Sequence, residues 1–134
     1  MEIVIREYRD SDLLSLNELL KDVYDLEKSC SNNKNIEIVA VLDNQVIGYL
    51  TINRLYDSVK DIKYAFLNYV CVDKNYRKMG IASNMLNYAF DICKKIGIKY
   101  IELTSNASRL EAQELYKNNG FVVRETNVFR KEIL

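Results

Sequence analysis

Residues 70–82 read Val-Cys-Val-Asp-Lys-Asn-Tyr-Arg-Lys-Met-Gly-Ile-Ala, and this stretch decides the fold. An apolar strand passes through a short basic loop directly into a helix that begins at a glycine. The first N–H groups of a helix have no intrahelical acceptor and lie at the positive end of its dipole, so a pyrophosphate can bind there. Arg77 and Lys78 add positive charge at the same place. Gly80 permits close approach of the main chain, and Ala82 leaves room for a ligand, so the stretch predicts a phosphate cradle; an ordinary strand-to-helix connection is the alternative.

A second motif lies at residues 112–121, which read Ala-Gln-Glu-Leu-Tyr-Lys-Asn-Asn-Gly-Phe. Residues 77–82 fit the pattern Arg/Gln-x-x-Gly-x-Gly/Ala of the GNAT superfamily of N-acyltransferases, and residues 112–121 resemble that family's motif Ala-x-x-Leu/Phe-Tyr-x-x-x-Gly-Phe. The motifs stand in the family's order, and the resemblance covers most of the chain from Ile36 onward. It implies that the pyrophosphate of acetyl-CoA, the acyl donor, is held by Arg77, Lys78, Met79, Gly80, Ile81 and Ala82.

The resemblance also implies a fold class. We expect a mixed α/β fold whose central, mostly antiparallel sheet has six to seven strands, splays between its fourth and fifth strands, and is flanked by about four helices. The pantetheine arm of acetyl-CoA would enter the splay. Its partners would be the main-chain groups of Val70, Cys71 and Val72, much as an added strand pairs with a sheet edge.

Local patterns predict a compatible order of elements. A strand over residues 2–8 precedes a leucine-rich helix capped by Asp10 or Ser11. Turn residues 43–44 join strands 37–42 and 45–53 into a hairpin. After these we predict a loop over 56–63, a strand over 64–72, a helix that begins at Ile81 and is stopped by Gly97, and a strand over 99–104. A helix over 111–119 and a final strand or hairpin over 121–129 follow.

Composition indicates one globular domain over residues 1–134. The chain is 49% hydrophobic and has 19 basic and 19 acidic residues, so no net positive field attracts nucleic acid or an anionic membrane. The first residues place Glu2 where a signal peptide carries positive charge, and no apolar run reaches transmembrane length. We therefore expect a cytoplasmic protein with neither nucleic-acid nor membrane partner.

Histidine is absent, which removes Ser-His-Asp and Cys-His catalysis and the commonest zinc ligand. Cys30, Cys71 and Cys93 have neither metal-ligand nor redox spacing and are interpreted as reduced thiols. No metal site is predicted.

The family's chemistry is attack of an amine on the thioester of acetyl-CoA. The match to the second motif implies that Tyr116 returns a proton to the leaving sulfur, since a phenol with a pKa of about 10 can donate to it. An amphipathic core tyrosine is the alternative. Many relatives carry an acidic general base on the fourth strand, where this chain has Asn68 and Tyr69, so no base is assigned. The candidates left open are Asp57, Asp61, Glu102 and a water chain.

The segment before the second motif departs from the commonest family pattern. Many relatives have an asparagine three residues before the alanine, where this chain has Arg109. Residues 104–109 resemble a variant form of the motif, so Asn106 and Arg109 are candidate contacts to the cofactor or to the helix terminus.

The predicted function is transfer of an acetyl group from acetyl-CoA to a primary amine of a small molecule or peptide, directly within a ternary complex. Three alternatives stay open. The first is a covalent route through Cys71, and the second is a CoA-binding module without turnover. The third is an enzyme of nucleotide transfer or hydrolysis, although the Lys and Ser/Thr of a P-loop do not follow Gly80. Residues 29–35 are a candidate wall of the acceptor site. Six acidic residues could attract a cationic acceptor, or they could simply form a solvated face. They are Glu18, Asp22, Asp25, Glu27, Asp57 and Asp61. Either a monomer or a homodimer is compatible.

Overall fold

In a computed structural model of the chain, residues 2–29 and 35–134 are described. This part of the chain divides into two compact units, the first extending to Thr104 and the second spanning Ser105–Leu134. The prediction of one domain over residues 1–134 stays a prediction. Most of the candidate acceptor wall at 29–35 lies outside the described residues, which resume at Asn35.

The first unit is built on a five-stranded sheet whose strands follow the chain in the order β1-β2-β3-β4-β5. The first three pairings are antiparallel and β4 pairs with β5 in parallel. The elements are β1 Val4–Glu7, α1 Leu13–Tyr24, β2 Ile36–Leu42, β3 Gln45–Asp57, β4 Ile62–Val72, α2 Ile81–Lys95, β5 Ile98–Glu102 and α3 Leu110–Asn118, with 3₁₀ turns at Asp10–Asp12 and Lys74–Tyr76.

This architecture confirms the predicted mixed, mostly antiparallel sheet, with smaller element counts. Five strands and three α-helices are present in the described residues, against the six to seven strands and about four helices expected. None of these helices is long and apolar enough to cross a bilayer.

The two turns that join β2, β3 and β4 are short. Asp43 and Asn44 have φ of 48° and 64°, the left-handed conformation that a two-residue hairpin turn needs, so the predicted hairpin is confirmed. The loop predicted over 56–63 is wrong at its ends, because β3 continues to Asp57 and β4 begins at Ile62. The turn is compact since Oδ1 of Asp57 accepts the N–H groups of Val59 and Lys60, each at 3.0 Å.

The two helices of the first unit cover opposite faces of the sheet. On one face α1 packs Leu16, Leu19 and Leu20 against a buried cluster that includes Tyr49 and Cys71. On the other face α2 crosses Gly48, where an added Cβ would lie 2.9 Å from Cε of Met85. Side chains alternate between faces along a strand, so each strand contributes to both cores.

The start of α1 differs from the prediction of a cap at Asp10 or Ser11. Those residues form a 3₁₀ turn, and Asp12 occupies the N-cap position. Its carboxylate accepts two hydrogen bonds from the Arg6 guanidinium, at 2.7 and 2.8 Å, and one from the N–H of Arg9. The hydrogen bonds from Arg6 hold the pKa of Asp12 below its usual value. Asp12 thus fixes the helix start to β1.

The strand or hairpin predicted over 121–129 is wrong. No strand is assigned between Phe121 and Leu134, and the strand pairings of the described chain all lie among β1 to β5. Val122 and Phe129 are 84% and 91% exposed. Because β propensity stabilises a strand only through pairing and packing, a β-branched run is a weak signal by itself.

Candidate functional site

The C-terminal half of β4 continues beyond its partner β5. The parallel pairing joins Lys63, Ala65 and Phe66 to β5, whereas β4 itself extends to Val72. Within the described sheet, residues 67–72 therefore present main-chain groups along an edge that β5 does not cover. This confirms the predicted splay between the fourth and fifth strands.

A β-bulge lies within this uncovered half. Tyr49 is opposite Cys71 and Thr51 is opposite Asn68, so β4 contains one residue more than β3 over the same length. The extra residue is accommodated at Tyr69, whose φ is 56°. The Tyr69 ring meets the Tyr24 ring edge-on, with 5.5 Å between centroids. The sequence gives no sign of this bulge, because tyrosine is not a residue that favours positive φ.

Two carbonyls of the predicted pantetheine strand already accept hydrogen bonds from side chains. The Tyr24 hydroxyl donates to the carbonyl oxygen of Val70 at 3.2 Å, and Nε of Arg77 donates to that of Val72 at 3.2 Å. A carbonyl oxygen has two lone pairs, so each could accept a further N–H. The uncovered strand is thus tied to α1 through Tyr24 and to the following loop through Arg77.

The Cys71 side chain points into the core. It is buried in the cluster beneath α1, and burial raises the pKa of its thiol to about 12. A thiol in this state is not a thiolate at neutral pH, and only the thiolate is a good nucleophile. The structure therefore argues against the covalent route through Cys71, and only its main chain is available to a ligand.

The loop after β4 is shaped by backbone contacts. The N–H of Asp73 donates to the carbonyl of Ile47 at 2.7 Å, and Oδ1 of Asp73 accepts the N–H of Asn75 at 2.8 Å. Lys78 and Gly80 have φ of 63° and 78° and turn the chain into α2. The exposed residues of the predicted cradle are Arg77, Lys78, Met79 and Gly80, while Ala82 is half-buried and Ile81 is buried.

The N-terminus of α2 is suited to an anion. Gly80 is the N-cap residue and provides no capping side chain, and the first intrahelical bond runs from the N–H of Asn84 to the carbonyl of Gly80. The preceding N–H groups, including those of Ile81 and Ala82, have no acceptor within the helix. A Cβ at Gly80 would meet nothing within 4 Å, so the space above the helix start is open. The N–H groups without a helical acceptor and the open space lie together at the helix start, which Arg77 and Lys78 precede; their role as a phosphate cradle stays a prediction.

The remaining candidate residues belong to the second unit. Tyr116 lies on α3, half-buried, with its ring edge-on to Phe121 at 5.8 Å. Burial raises the pKa of Tyr116, and the charge of Arg109 partly opposes this. Oδ1 of Asn106 accepts from the N–H and the hydroxyl of Ser108, both at 2.9 Å, and Arg109 is the N-cap residue of α3. Asn106 thus stabilises a turn, in addition to being a candidate contact to the cofactor.

The candidate bases fall at different places. Asp61 precedes β4, and Val70 lies about 25 Å further along a strand that rises about 3.3 Å per residue. Asp57 lies in the same turn. Both are therefore too distant from the uncovered edge to take a proton there. Glu102 is exposed at the end of β5.

Comparison with known proteins identifies the family. Residues 2–121 match the acetyltransferase (GNAT) family. The chain is 34% identical over 67 residues to GCN5-related N-acetyltransferase 6, chloroplastic, of Arabidopsis thaliana, an overlap of 50% of this chain and 23% of that protein. It is 29% identical over 91 residues to L-amino acid N-acetyltransferase AaaT of Escherichia coli K12, covering 67% of this chain and 55% of that protein.

Structural comparison gives the same fold. The crystal structure of a transcriptional regulator from Bacillus halodurans C-125 superposes with a TM-score of 0.84 over 98% of this chain and 100% of that chain, at 21% identity. An identity of 21% establishes the fold alone. The chain spans only part of the two curated relatives, 23% of the Arabidopsis protein and 55% of the Escherichia coli protein. Since the family match extends over most of the sequence and the uncovered strand leads into the expected anion cradle, this chain belongs to the GNAT family of acetyltransferases.

Proposed function

We propose that this chain transfers an acetyl group from acetyl-CoA to a primary amine of a small molecule or peptide, by direct attack within a ternary complex. The observation that carries the proposal is the continuity of β4 with α2. Residues 67–72 offer a strand edge to the amide-bearing pantetheine arm, and the adjoining loop offers N–H groups and cations to a pyrophosphate.

The proposed binding roles follow from this continuity. Val70, Cys71 and Val72 contribute main-chain groups, and Arg77 is tied to the strand through its bond to Val72. Lys78, Met79, Gly80, Ile81 and Ala82 form the rest of the cradle, and Asn106 and Arg109 are proposed contacts from the second unit.

In the proposed reaction a neutral amine attacks the thioester carbonyl. A C–N bond forms, the C–S bond breaks, and the sulfur leaves with the electron pair of that bond. Tyr116 supplies the proton that the sulfur takes up and regains one from solvent, while the amine loses a proton to a base or a water chain. Burial raises the pKa of Tyr116, so the phenol stays protonated at neutral pH and donates only as negative charge develops on the leaving sulfur.

The Gly80→Ala variant tests the cradle, with Gly97→Ala as a matched control. Both glycines have positive φ, 78° and 83°, and neither has an atom within 4 Å of an added Cβ. Each substitution should cost about 1 kcal/mol of folding stability through the left-handed backbone. Calorimetry should show acetyl-CoA affinity reduced about tenfold or more in Gly80→Ala and unchanged in Gly97→Ala. Equal affinities in the two variants would contradict the cradle.

The Tyr116→Phe variant tests the proton donor. Release of CoA, followed with a panel of primary amines, should slow by about a hundredfold, the lower end of general acid catalysis. Tyr100→Phe, on the strand β5, is the control and should keep the native rate. Acetyl-CoA binding without turnover of any amine would instead indicate a CoA-binding module.

We also propose a cytoplasmic protein that works as a monomer or homodimer without nucleic-acid or membrane partners. The equal numbers of basic and acidic residues, 19 of each, support this proposal.

A further inference from the structure

A polar cluster that is largely shielded from solvent lies on the α1 face of the sheet. Nζ of Lys28 lies 2.9 Å from Oε1 of Glu37, and these side chains are only 12% and 10% exposed. The hydroxyl of Tyr49 donates to the same carboxylate oxygen at 2.5 Å. The ammonium of Lys28 also lies 5.3 Å from the centroid of the Tyr8 ring. We call Tyr8 and Glu37, which contact this ammonium, together with Tyr49, which binds the Glu37 carboxylate, the cation cage.

The cation cage has the chemistry that recognises an alkylammonium ion. A carboxylate meets the positive charge on one side and an aromatic ring lies within cation–π distance on another. A buried ion pair is seldom more stable than an apolar pair of the same volume, so stability alone is a poor reason for this arrangement. Tyr49 holds the carboxylate in place, since its hydroxyl binds the oxygen that also contacts Lys28.

The cage is anchored to the fold independently of Lys28. The N–H of Tyr8 donates to the carbonyl of Glu37 at 2.9 Å, and Glu37 and Tyr49 lie on the paired strands β2 and β3. Lys28 comes from the segment after α1, where its N–H donates to Oδ1 of Asn17 at 2.7 Å. The backbone that carries the cage is therefore fixed by main-chain hydrogen bonds, and the ammonium inside it comes from a connecting segment.

The register places the cage beside the proposed reaction site. Glu37 is opposite Thr51 on β3, and Thr51 is opposite Asn68 at the start of the bulge in β4. Two strand spacings of about 4.8 Å separate Glu37 from this bulge, roughly 10 Å in all. A flexible molecule with a cationic group at one end and a reacting amine at the other could therefore reach both the cage and the bulge in β4.

We propose that the cation cage binds a non-reacting ammonium group of the acetyl acceptor, and that Lys28 occupies the cage until the acceptor displaces it. The inference rests on the proposed acetyl transfer. Because the attacking amine must be neutral while the cage selects a cation, the acceptor has two amino groups. The acceptor class is thus an aliphatic diamine.

The first experiment measures binding in the absence of acetyl-CoA. Calorimetry with cadaverine compares the native chain with Lys28→Met, in which the resident ammonium is removed. Removing an internal competitor should tighten cadaverine binding about tenfold. Lys21→Met is the matched control, since Lys21 pairs with Asp25 on the surface with both side chains more than half exposed. Equal or weaker cadaverine binding by Lys28→Met would overturn the proposal.

The second experiment measures turnover with cadaverine and n-pentylamine. Lys28→Met should lower KM for cadaverine about tenfold with kcat unchanged. Glu37→Gln should remove the preference for cadaverine over n-pentylamine, measured as the ratio of the two kcat/KM values in the folded variant. Tyr8→Leu removes only the ring and should raise KM for cadaverine, so it tests the cage even where Lys28→Met does not fold. An unchanged preference in both Glu37→Gln and Tyr8→Leu would overturn the proposal.

The two experiments separate the inference from the proposed function. Tighter cadaverine binding by Lys28→Met with no turnover of any amine would retain the cage and refute acetyl transfer. Turnover of monoamines with no effect of any cage variant would retain acetyl transfer and refute the cage.

Discussion

The anion cradle and the cation cage are built in opposite ways. The cradle is formed by neighbouring residues of a single connection, and its proposed binding depends on the backbone conformation of Lys78 and Gly80. The cage is formed by side chains that β pairing and a connecting segment bring together from distant parts of the chain. A site made of backbone depends on the local conformation of a few residues, whereas a site made of side chains depends on the whole sheet. We therefore expect substitutions in the cradle to affect mainly ligand binding. Substitutions in the cage should affect both folding stability and ligand binding.

The largest effect is expected for Glu37→Gln. Removing one charge of a buried pair leaves Lys28 uncompensated, and the free energy of unfolding should fall by about 3 kcal/mol or more. Urea unfolding measures the loss. The exposed pair of Lys21 and Asp25 provides the control, since Lys21→Met should cost about 0.5 kcal/mol at most. A loss below about 1 kcal/mol for Glu37→Gln would remove the contrast between the two regions.

A pH dependence follows from Tyr49. Burial, together with the hydrogen bond to Glu37, holds the pKa of Tyr49 well above its ordinary value. In the unfolded chain the phenol ionises near pH 10, so its contribution to stability is complete below that pH and falls above it, by up to about 1.4 kcal/mol per pH unit. Urea unfolding between neutral pH and about pH 11 should therefore show a flatter decline in Tyr49→Phe than in the native chain. Identical slopes would contradict the burial of this phenol.

The smallest effect is expected for Asp73, whose carboxylate stabilises the cradle loop. Asp73→Ala removes the acceptor for the N–H of Asn75 and should cost about 1 kcal/mol, whereas Asp73→Asn keeps an acceptor oxygen and should cost less. Urea unfolding of the two variants, combined with acetyl-CoA calorimetry, measures both effects. Weaker acetyl-CoA binding by Asp73→Ala than by Asp73→Asn would support the proposal that the backbone conformation of this loop determines binding. A stability loss in Asp73→Ala as large as that in Glu37→Gln would contradict it.

The sequence predicted the features whose causes are local. The hairpin turn at Asp43 and Asn44, the strand entering the cradle and the glycine at the start of α2 each depend on residues close together in the chain. Gly97 ends α2 in the left-handed conformation, as expected of a glycine there. Such signals can be read without knowing what packs on them.

The features that were missed depend on partners distant in sequence. Nothing near Tyr69 signals a bulge, because the extra residue exists only relative to β3. The pairing of Lys28 with Glu37 requires the segment after α1 to lie over β2, which no local pattern reveals. Asp12 was overlooked as the N-cap because its main partner, Arg6, lies on β1. The strand expected over 121–129 was inferred from β propensity, which tertiary context overrides.

The order of the strands also has a consequence for how the chain folds. The strands β1 to β4 lie side by side in the order in which they are synthesised, so each can pair with the strand before it. The connections from β2 to β3 and from β3 to β4 are short, which favours rapid pairing. The parallel pairing of β4 with β5 is different, since α2 must first cross the sheet. We expect the antiparallel pairs to form before the crossover closes, since their contacts are closer in sequence. The anion cradle begins that crossover, so its final shape would be acquired late in folding.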